Sequence, residues 1–153
     1  MNPDSAKRYV MLNGEMMPSE SARISPEMNG IYHGTGAFET MLSDRGAIFR
    51  FADHVQRLQR GLQYLELQSD AFQDAEYLRG DVEKLLNANG LQEKRSRVRI
   101  QVSEAGDGGY SAQAPLPGIT LITADELPDA AVKPVRLVTS PVRTIPSASR
   151  PAD

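Results

Sequence analysis

The run Tyr32-His33-Gly34-Thr35-Gly36-Ala37-Phe38-Glu39-Thr40 carries two closely spaced glycines and then turns apolar through Met41 and Leu42. Glycine interrupts regular structure and admits positive φ, so the run predicts an irregular entry feeding a strand over Gly36–Leu42. Adjacent side chains on a strand point to opposite faces, so Phe38 and Glu39 cannot share one. Ser43-Asp44-Arg45-Gly46 is rich in turn formers, and Ala47–Phe51 supplies a returning strand, which makes a hairpin. Gly34 and Gly36 are not a dinucleotide fingerprint, because the later glycine is missing and the run follows a loop rather than a strand.

Downstream, Asp53 reads as an N-cap, with Val55, Leu58, Leu62 and Leu65 recurring at helical spacing. Arg57 then falls about one turn inside, where its guanidinium joins a locally positive helix end suited to a phosphate dianion. Taken alone, a lone arginine on a helix reads better as a solvated or salt-bridged surface charge. His54 reads as a structural partner near the helix start, not as a catalyst. Asp70 is a candidate cap for a second helix burying Phe72, Ala75, Leu78, Val82, Leu85 and Leu86, stopped by Gly90. Val98, Ile100 and Val102 alternate with Arg97, Arg99 and Gln101, the period of a strand with one packed face. On the other face, Arg99 offers either a carboxylate-binding guanidinium or an ordinary solvated charge, and Arg97 the solvated charge. Ile119–Thr123 and Val135–Thr139 predict further strands. Residues 106–110 and Pro115-Leu116-Pro117-Gly118 predict loops.

Upstream, Tyr9–Leu12 and Glu15–Met17 flank Asn13-Gly14, whose residues accept positive φ, so a small hairpin opens the chain. Strands, then helices, then strands without strict alternation predict an α+β fold, a small two-layer sandwich of mainly antiparallel sheet with two helices.

The chain has 153 residues, and its 40% hydrophobic content suffices for one domain with its own core. A net charge of -3 without basic runs argues against nucleic acid and anionic membrane surfaces. With no cysteine, thiolate metal sites and disulfides are excluded, and neither His33 nor His54 has a second histidine at ligand spacing, so no metal is expected. No apolar run reaches bilayer length and the N-terminus lacks a signal-peptide core, which predicts a cytoplasmic protein.

The Tyr32–Thr40 run, the following hairpin, and a helix opening His54-Val55-Gln56-Arg57-Leu58 together resemble the N-terminal domain of fold-type IV, or class IV, pyridoxal-phosphate (PLP) enzymes. That family includes branched-chain aminotransferases, D-amino acid aminotransferases and aminodeoxychorismate lyases. The resemblance covers Tyr9 to Leu67 well and the remainder loosely. It implies that Arg57 binds the PLP phosphate, that Phe38 lines the substrate pocket, and that His33 lies near the substrate side chain. His33 stands where these enzymes usually carry Tyr or Phe, a departure at the substrate end. Without the resemblance, Phe38 reads as a core aromatic just as well. Arg99 is a further pocket candidate, and Gly108-Gly109-Tyr110-Ser111 resembles a Gly-rich loop and tyrosine common in the lyase branch and in some aminotransferases. Glu39 matches a common family residue and reads as structural.

PLP chemistry requires a Schiff-base lysine. Lys7, Lys84, Lys94 and Lys133 lie in no matching context, so the resemblance implies that the catalytic lysine lies beyond Asp153 and that this chain alone is inactive. Residues 1–140 are expected to form the N-terminal domain, and 141–153 the start of an interdomain connection. The resemblance further implies a homodimer acting on amino acids and 2-oxo acids as a transaminase. The alternatives are an aminodeoxychorismate lyase or, if 153 residues is the full length, a non-catalytic binding domain.

Overall fold

The computed structural model describes residues 8–72, 74–106 and 114–128. Asn13 and Gly14 take positive φ (51° and 80°) and close the first hairpin between β1 (Tyr9–Leu12) and β2 (Glu15–Pro18). A 3-10 turn over Ser19–Ser21 follows, and then a single helical turn, α1 (Asn29–Tyr32). The long strand β3 (Gly36–Asp44) turns through Arg45 and Gly46 into the short β4 (Ala47–Ile48). Next come α2 (Phe51–Tyr64), the short β5 (Leu67–Gln68) and α3 (Ala75–Ala88). Two long strands, β6 (Arg95–Glu104) and β7 (Leu116–Glu126), complete the described chain.

The sheet order is β2-β1-β7-β6-β3-β4, antiparallel throughout, with β5 added in parallel to the start of β7. Its core face is set by strand alternation: Met41 on β3, Val98, Ile100 and Val102 on β6, and Ile122 and Ala124 on β7. Against these pack Val55, Leu58 and Leu62 of α2 and Leu78, Val82, Leu85 and Leu86 of α3, in one continuous cluster. Each such side chain contributes roughly 1.5–3 kcal/mol when removed from water, so this face dominates the stability. Arg79 of α3 lies over the ring of buried Phe51 at 4.5 Å, joining the two helices. Asn89, just past α3, accepts from the Tyr9 amide at 2.8 Å and donates to the Tyr9 carbonyl at 3.0 Å, which fastens α3 to β1.

The α+β, mainly antiparallel, two-layer reading holds, with several local corrections. Three α-helices are present among the described residues rather than two, the extra one being α1. Its sequence, with Gly30, is a poor helix former; it is held by tertiary contacts, the Asn29 amide donating to the Gly106 carbonyl at 2.8 Å and Asn29 Nδ2 to Glu104 Oε1 at 2.6 Å. Asp53 is not the cap of α2. The helix starts at Phe51, which anchors in the core, and the preceding Arg50 takes a left-handed conformation (φ 50°) while its Nε donates to Asp53 at 2.6 Å. The returning strand accordingly ends at Ile48 instead of Phe51. The cap of α3 is Asp74 rather than Asp70: its side chain accepts from the Tyr77 amide at 2.7 Å. Phe72 therefore packs against the core from a turn, not from a helix.

Residues 116–118 are strand, not loop. Leu116 and Pro117 pair in parallel with Leu67 and Gln68, and Gly118 permits the close approach, since a Cβ there would meet the Gln68 carbonyl oxygen at 2.8 Å. The expected strand Val135–Thr139, the Gly108–Ser111 loop, Lys7, Lys133 and the 141–153 connection lie outside the described residues. No described helix is long and apolar enough to cross a membrane, and no group of metal-ligating side chains occurs among the described residues.

Candidate cofactor and substrate site

Inward parity on β3 continues through Ala37, Glu39, Met41 and Ser43, so Glu39 brings a carboxylate to the core side of the sheet, where it is 4% exposed. A buried carboxylate requires partners. Both come from α2, where His54 and Arg57 are three residues apart and so share one helix face. Arg57 donates from Nε to Glu39 Oε1 at 2.5 Å and from Nη2 to Oε2 at 2.6 Å. His54 Nδ1 lies 2.7 Å from Oε2. Burial by itself would raise the Glu39 pKa, but the hydrogen bonds and charges of Arg57 and His54 outweigh it, and the group is held below the ordinary carboxylate range.

The Arg57 side chain remains 64% exposed. It opens on a cleft of ≈ 670 Å³ bordered by Phe49, Arg50, Asp53, His54 and Arg60. Among the described residues, Arg50, His54, Arg57 and Arg60 border it with the single carboxylate of Asp53, and Glu39 lies buried behind Arg57, so basic side chains outnumber carboxylates at the opening. Because α2 starts at Phe51, Arg57 is nearly two turns inside, where the helix dipole contributes little; the dipole reading of Arg57 is corrected, and Glu39 is what orients the guanidinium.

Phe38 points away from the core and is 56% exposed, which removes its reading as a core aromatic. The Arg99 guanidinium stacks on its ring at 3.7 Å. Arg99 donates from Nε (3.3 Å) and Nη2 (3.2 Å) to Gln101 Oε1, and Gln101 Nε2 donates to Ser103 Oγ at 2.9 Å. This polar ladder runs along the outer face of β6. Arg97 on the same face pairs with Asp125 at 3.5 Å, the solvated role expected of it. His33 ends α1, its amide donating to the Asn29 carbonyl at 2.8 Å, and its exposed ring is tilted 41° to Tyr32 with centroids 6.3 Å apart. Arg57 and the Phe38–Arg99 pair thus approach β3 from opposite faces. Among the described residues, β4 pairs with β3 only at Ser43 and Asp44, so the outer edge of β3 beside Phe38 and Glu39 carries no neighbouring strand. A ligand at that edge could reach both faces.

Sequence reasoning did not anticipate the partners of Glu39 or the bordering residues Phe49, Arg50 and Arg60. The first was discoverable: a carboxylate at an inward position between Ala37 and Met41, followed by a cationic i, i+3 pair on the next helix, predicts the ion pair. The second depended on the left-handed turn at Arg50, which has no sequence signal.

The family profile described as amino-transferase class IV matches residues 36–153. The chain belongs to the class IV aminotransferase family. Among curated class IV relatives, the aminodeoxychorismate lyase of Bacillus subtilis (strain 168) is 31% identical over 105 residues, covering 68% of this chain and 35% of that protein. Among solved structures, the branched-chain aminotransferase of Thermoproteus uzoniensis with norvaline superposes with a TM-score of 0.70 at 23% identity, over 79% of this chain and 41% of that one. A hypothetical aminotransferase from Mycobacterium tuberculosis in its PLP-bound form superposes with a TM-score of 0.62 at 21% identity, over 78% and 40%. These similarities in structure establish the class IV fold. The chain spans well under half the length of each relative.

Proposed function

We propose that this chain contributes the phosphate anchor and one substrate wall of a PLP-dependent transaminase that moves an amino group between an amino acid and a 2-oxo acid. The observation that carries this reading is the Arg57 guanidinium, held by Glu39 at the mouth of a cationic cleft, in a chain of the class IV family. The residues fit the cofactor: with Nε and Nη2 turned to Glu39, Arg57 brings the other edge of its guanidinium, and Arg50 and Arg60 their charge, to a cleft that suits a phosphate dianion. When bound, PLP supplies the electron sink that stabilises negative charge on the substrate α-carbon. Arg57 grips the phosphate and fixes the cofactor's register. Phe38 provides an apolar wall that excludes water, Arg99 offers a bidentate contact to a substrate carboxylate, and His33 borders the substrate side chain.

We expect the Schiff-base lysine outside the described residues: Lys84 and Lys94 are exposed side chains paired with Asp81 and Glu126 at 3.1 and 2.6 Å, and neither lines the Arg57 cleft. Residues 1–140 act as the N-terminal domain and 141–153 as the start of the connection to a catalytic domain. We further propose a cytoplasmic homodimer that binds neither nucleic acid nor membrane.

A second reading, elimination by an aminodeoxychorismate lyase, is favoured by the 31% identity to such an enzyme. Assaying the full-length protein with paired amino and 2-oxo acids, and separately with aminodeoxychorismate, distinguishes them. Amino-group transfer supports the first reading. Release of fluorescent p-aminobenzoate without transfer replaces it with the second. Arg57→Ala should weaken PLP binding about 10- to 100-fold, the worth of one charged hydrogen-bonded contact; unchanged affinity removes the phosphate role.

A further inference from the structure

Arg97 and Arg99 share the outer face of β6 but meet different surroundings. Arg97 pairs with Asp125, which also receives Arg8 at 2.7 Å, so the carboxylate that β7 brings to this face is already shared by two cations. Arg99 faces Thr40 on β3 and Thr123 on β7, stacks on Phe38, and among the described residues donates only to Gln101. These neighbours are all neutral, so the half-buried guanidinium is held without being neutralised.

Gln101 is itself fixed. Its Nε2 donates to Ser103 Oγ at 2.9 Å, which turns Oε1 toward Arg99; the flipped amide would set N–H groups against a cation. Oε1 then accepts from both Nε and Nη2, at 3.3 and 3.2 Å, and closes one edge of the fork with a single oxygen. A carboxylate in that place would hold the arginine and cancel its charge together. The amide holds it and leaves the charge, with the Nη1 end turned to a ligand.

We propose that Gln101 is a positioning residue for anion selectivity: through a neutral acceptor it fixes the Arg99 fork beside Phe38, so that the outer face of β6 presents an uncompensated charge to a carboxylate-bearing ligand. The proposal rests on the reading of Arg99 as a substrate-carboxylate contact.

The test titrates the full-length holoenzyme with pentanoate and with pentanamide, a charged and a neutral ligand of nearly the same shape, and follows binding by ligand-observed NMR. The native protein should prefer pentanoate by about tenfold, the fold-change of one charge-assisted contact. Gln101→Glu, which adds a charge without adding volume, should abolish the preference by weakening pentanoate alone. Gln101→Met removes the hold and leaves Arg99 charged; it should weaken pentanoate by a smaller factor, again without changing pentanamide. In an Arg99→Met background, Gln101→Met should add no further loss. A preference that survives Gln101→Glu, or a full additional loss on top of Arg99→Met, overturns the role of Gln101 and leaves the Arg99 contact standing. No preference in the native protein, or an unchanged preference in Arg99→Met, overturns the Arg99 contact and the role of Gln101 with it. Should Gln101→Glu fail to fold, Gln101→Met decides: a loss confined to pentanoate supports the proposal, and equal changes for the two ligands, as a merely structural residue would give, refute it.

Discussion

The Arg99 guanidinium lies 3.7 Å above the ring of Phe38, across the diagonal of the β3–β6 ladder, where Phe38 faces Gln101 and Arg99 faces Thr40. The pair forms one unit on the outer face of the sheet: the ring shields one side of the guanidinium, and Gln101 holds its edge. An exposed cation–π contact contributes only about 0.5–1 kcal/mol to stability.

Phe38→Ala therefore separates a pocket role from a packing role. With 56% of the residue exposed, truncation should change folding free energy by about 1 kcal/mol or less, while KM for substrate rises as the apolar wall and the clamp on Arg99 are lost. Urea unfolding and steady-state kinetics on the same preparation check this. A loss of about 3–5 kcal/mol in stability, the usual cost of emptying an aromatic core position, would mark Phe38 as structural.

The two glycines of the opening motif should respond differently to substitution. Gly34 has φ 68° and nothing within 4 Å of a Cβ, so Gly34→Ala meets only backbone strain of about 1 kcal/mol. Gly36 lies where a Cβ would sit 2.6 Å from the Val102 carbonyl oxygen and 3.1 Å from Ser103 Cα, both backbone atoms of a central strand. Gly36→Ala should cost about 1–3 kcal/mol by forcing β3 and β6 apart, and more than Gly34→Ala. Thermal unfolding of the two variants side by side decides it; the reverse order would contradict the close approach.

The long elements were legible because their periodicity is unambiguous. Val98, Ile100 and Val102 alternate without exception, and Val55, Leu58 and Leu62 fall on one helical stripe; all six side chains are buried as read. Boundaries were less legible because they depend on partners distant in sequence. Asp53 and Asp70 both look like caps, but the placement of Phe51 and Phe72 against the core moved the helix starts, to a left-handed Arg50 in one case and to Asp74 in the other. α1 is invisible in the sequence, since its stability comes from Glu104 and Gly106, some 75 residues away. At the site, the sequence names Arg57, Phe38, Arg99 and His33 singly, and their grouping is not legible from it; the Glu39 contact to Arg57 follows only once strand parity places Glu39 on the face toward α2.

Ser43 and Ser96 face each other directly across β3 and β6, both fully buried, and neither hydroxyl has a hydrogen-bond partner among the described residues. A buried hydroxyl left unpaired costs about 1–3 kcal/mol relative to a satisfied one, and removing it leaves little void. Ser96→Ala should therefore be neutral or stabilise the fold by up to about 1 kcal/mol, an unusual outcome for a fully buried position. Urea denaturation measures it. A loss of stability would show that the two hydroxyls are engaged in solution, and the double variant with Ser43→Ala would then be non-additive.

Glu39 should also leave a signature in the pH dependence of stability. Its folded-state pKa lies below the ordinary value of 4.5, because Arg57 and His54 hold the charged form against the effect of burial. The unfolded state therefore takes up the proton first as pH falls, and the stabilisation is fully present above the unfolded value and lost as pH drops through the lower folded one. Glu39→Gln has no charge to lose. The free-energy gap between the native protein and Glu39→Gln should be constant at neutral pH and narrow on acidification below about pH 4.5. Chemical denaturation of both proteins across that range measures the gap. A gap that stays constant into the acid limb would mean that the carboxylate's charged form is not favoured by folding, and that the Arg57 fork is not held as described.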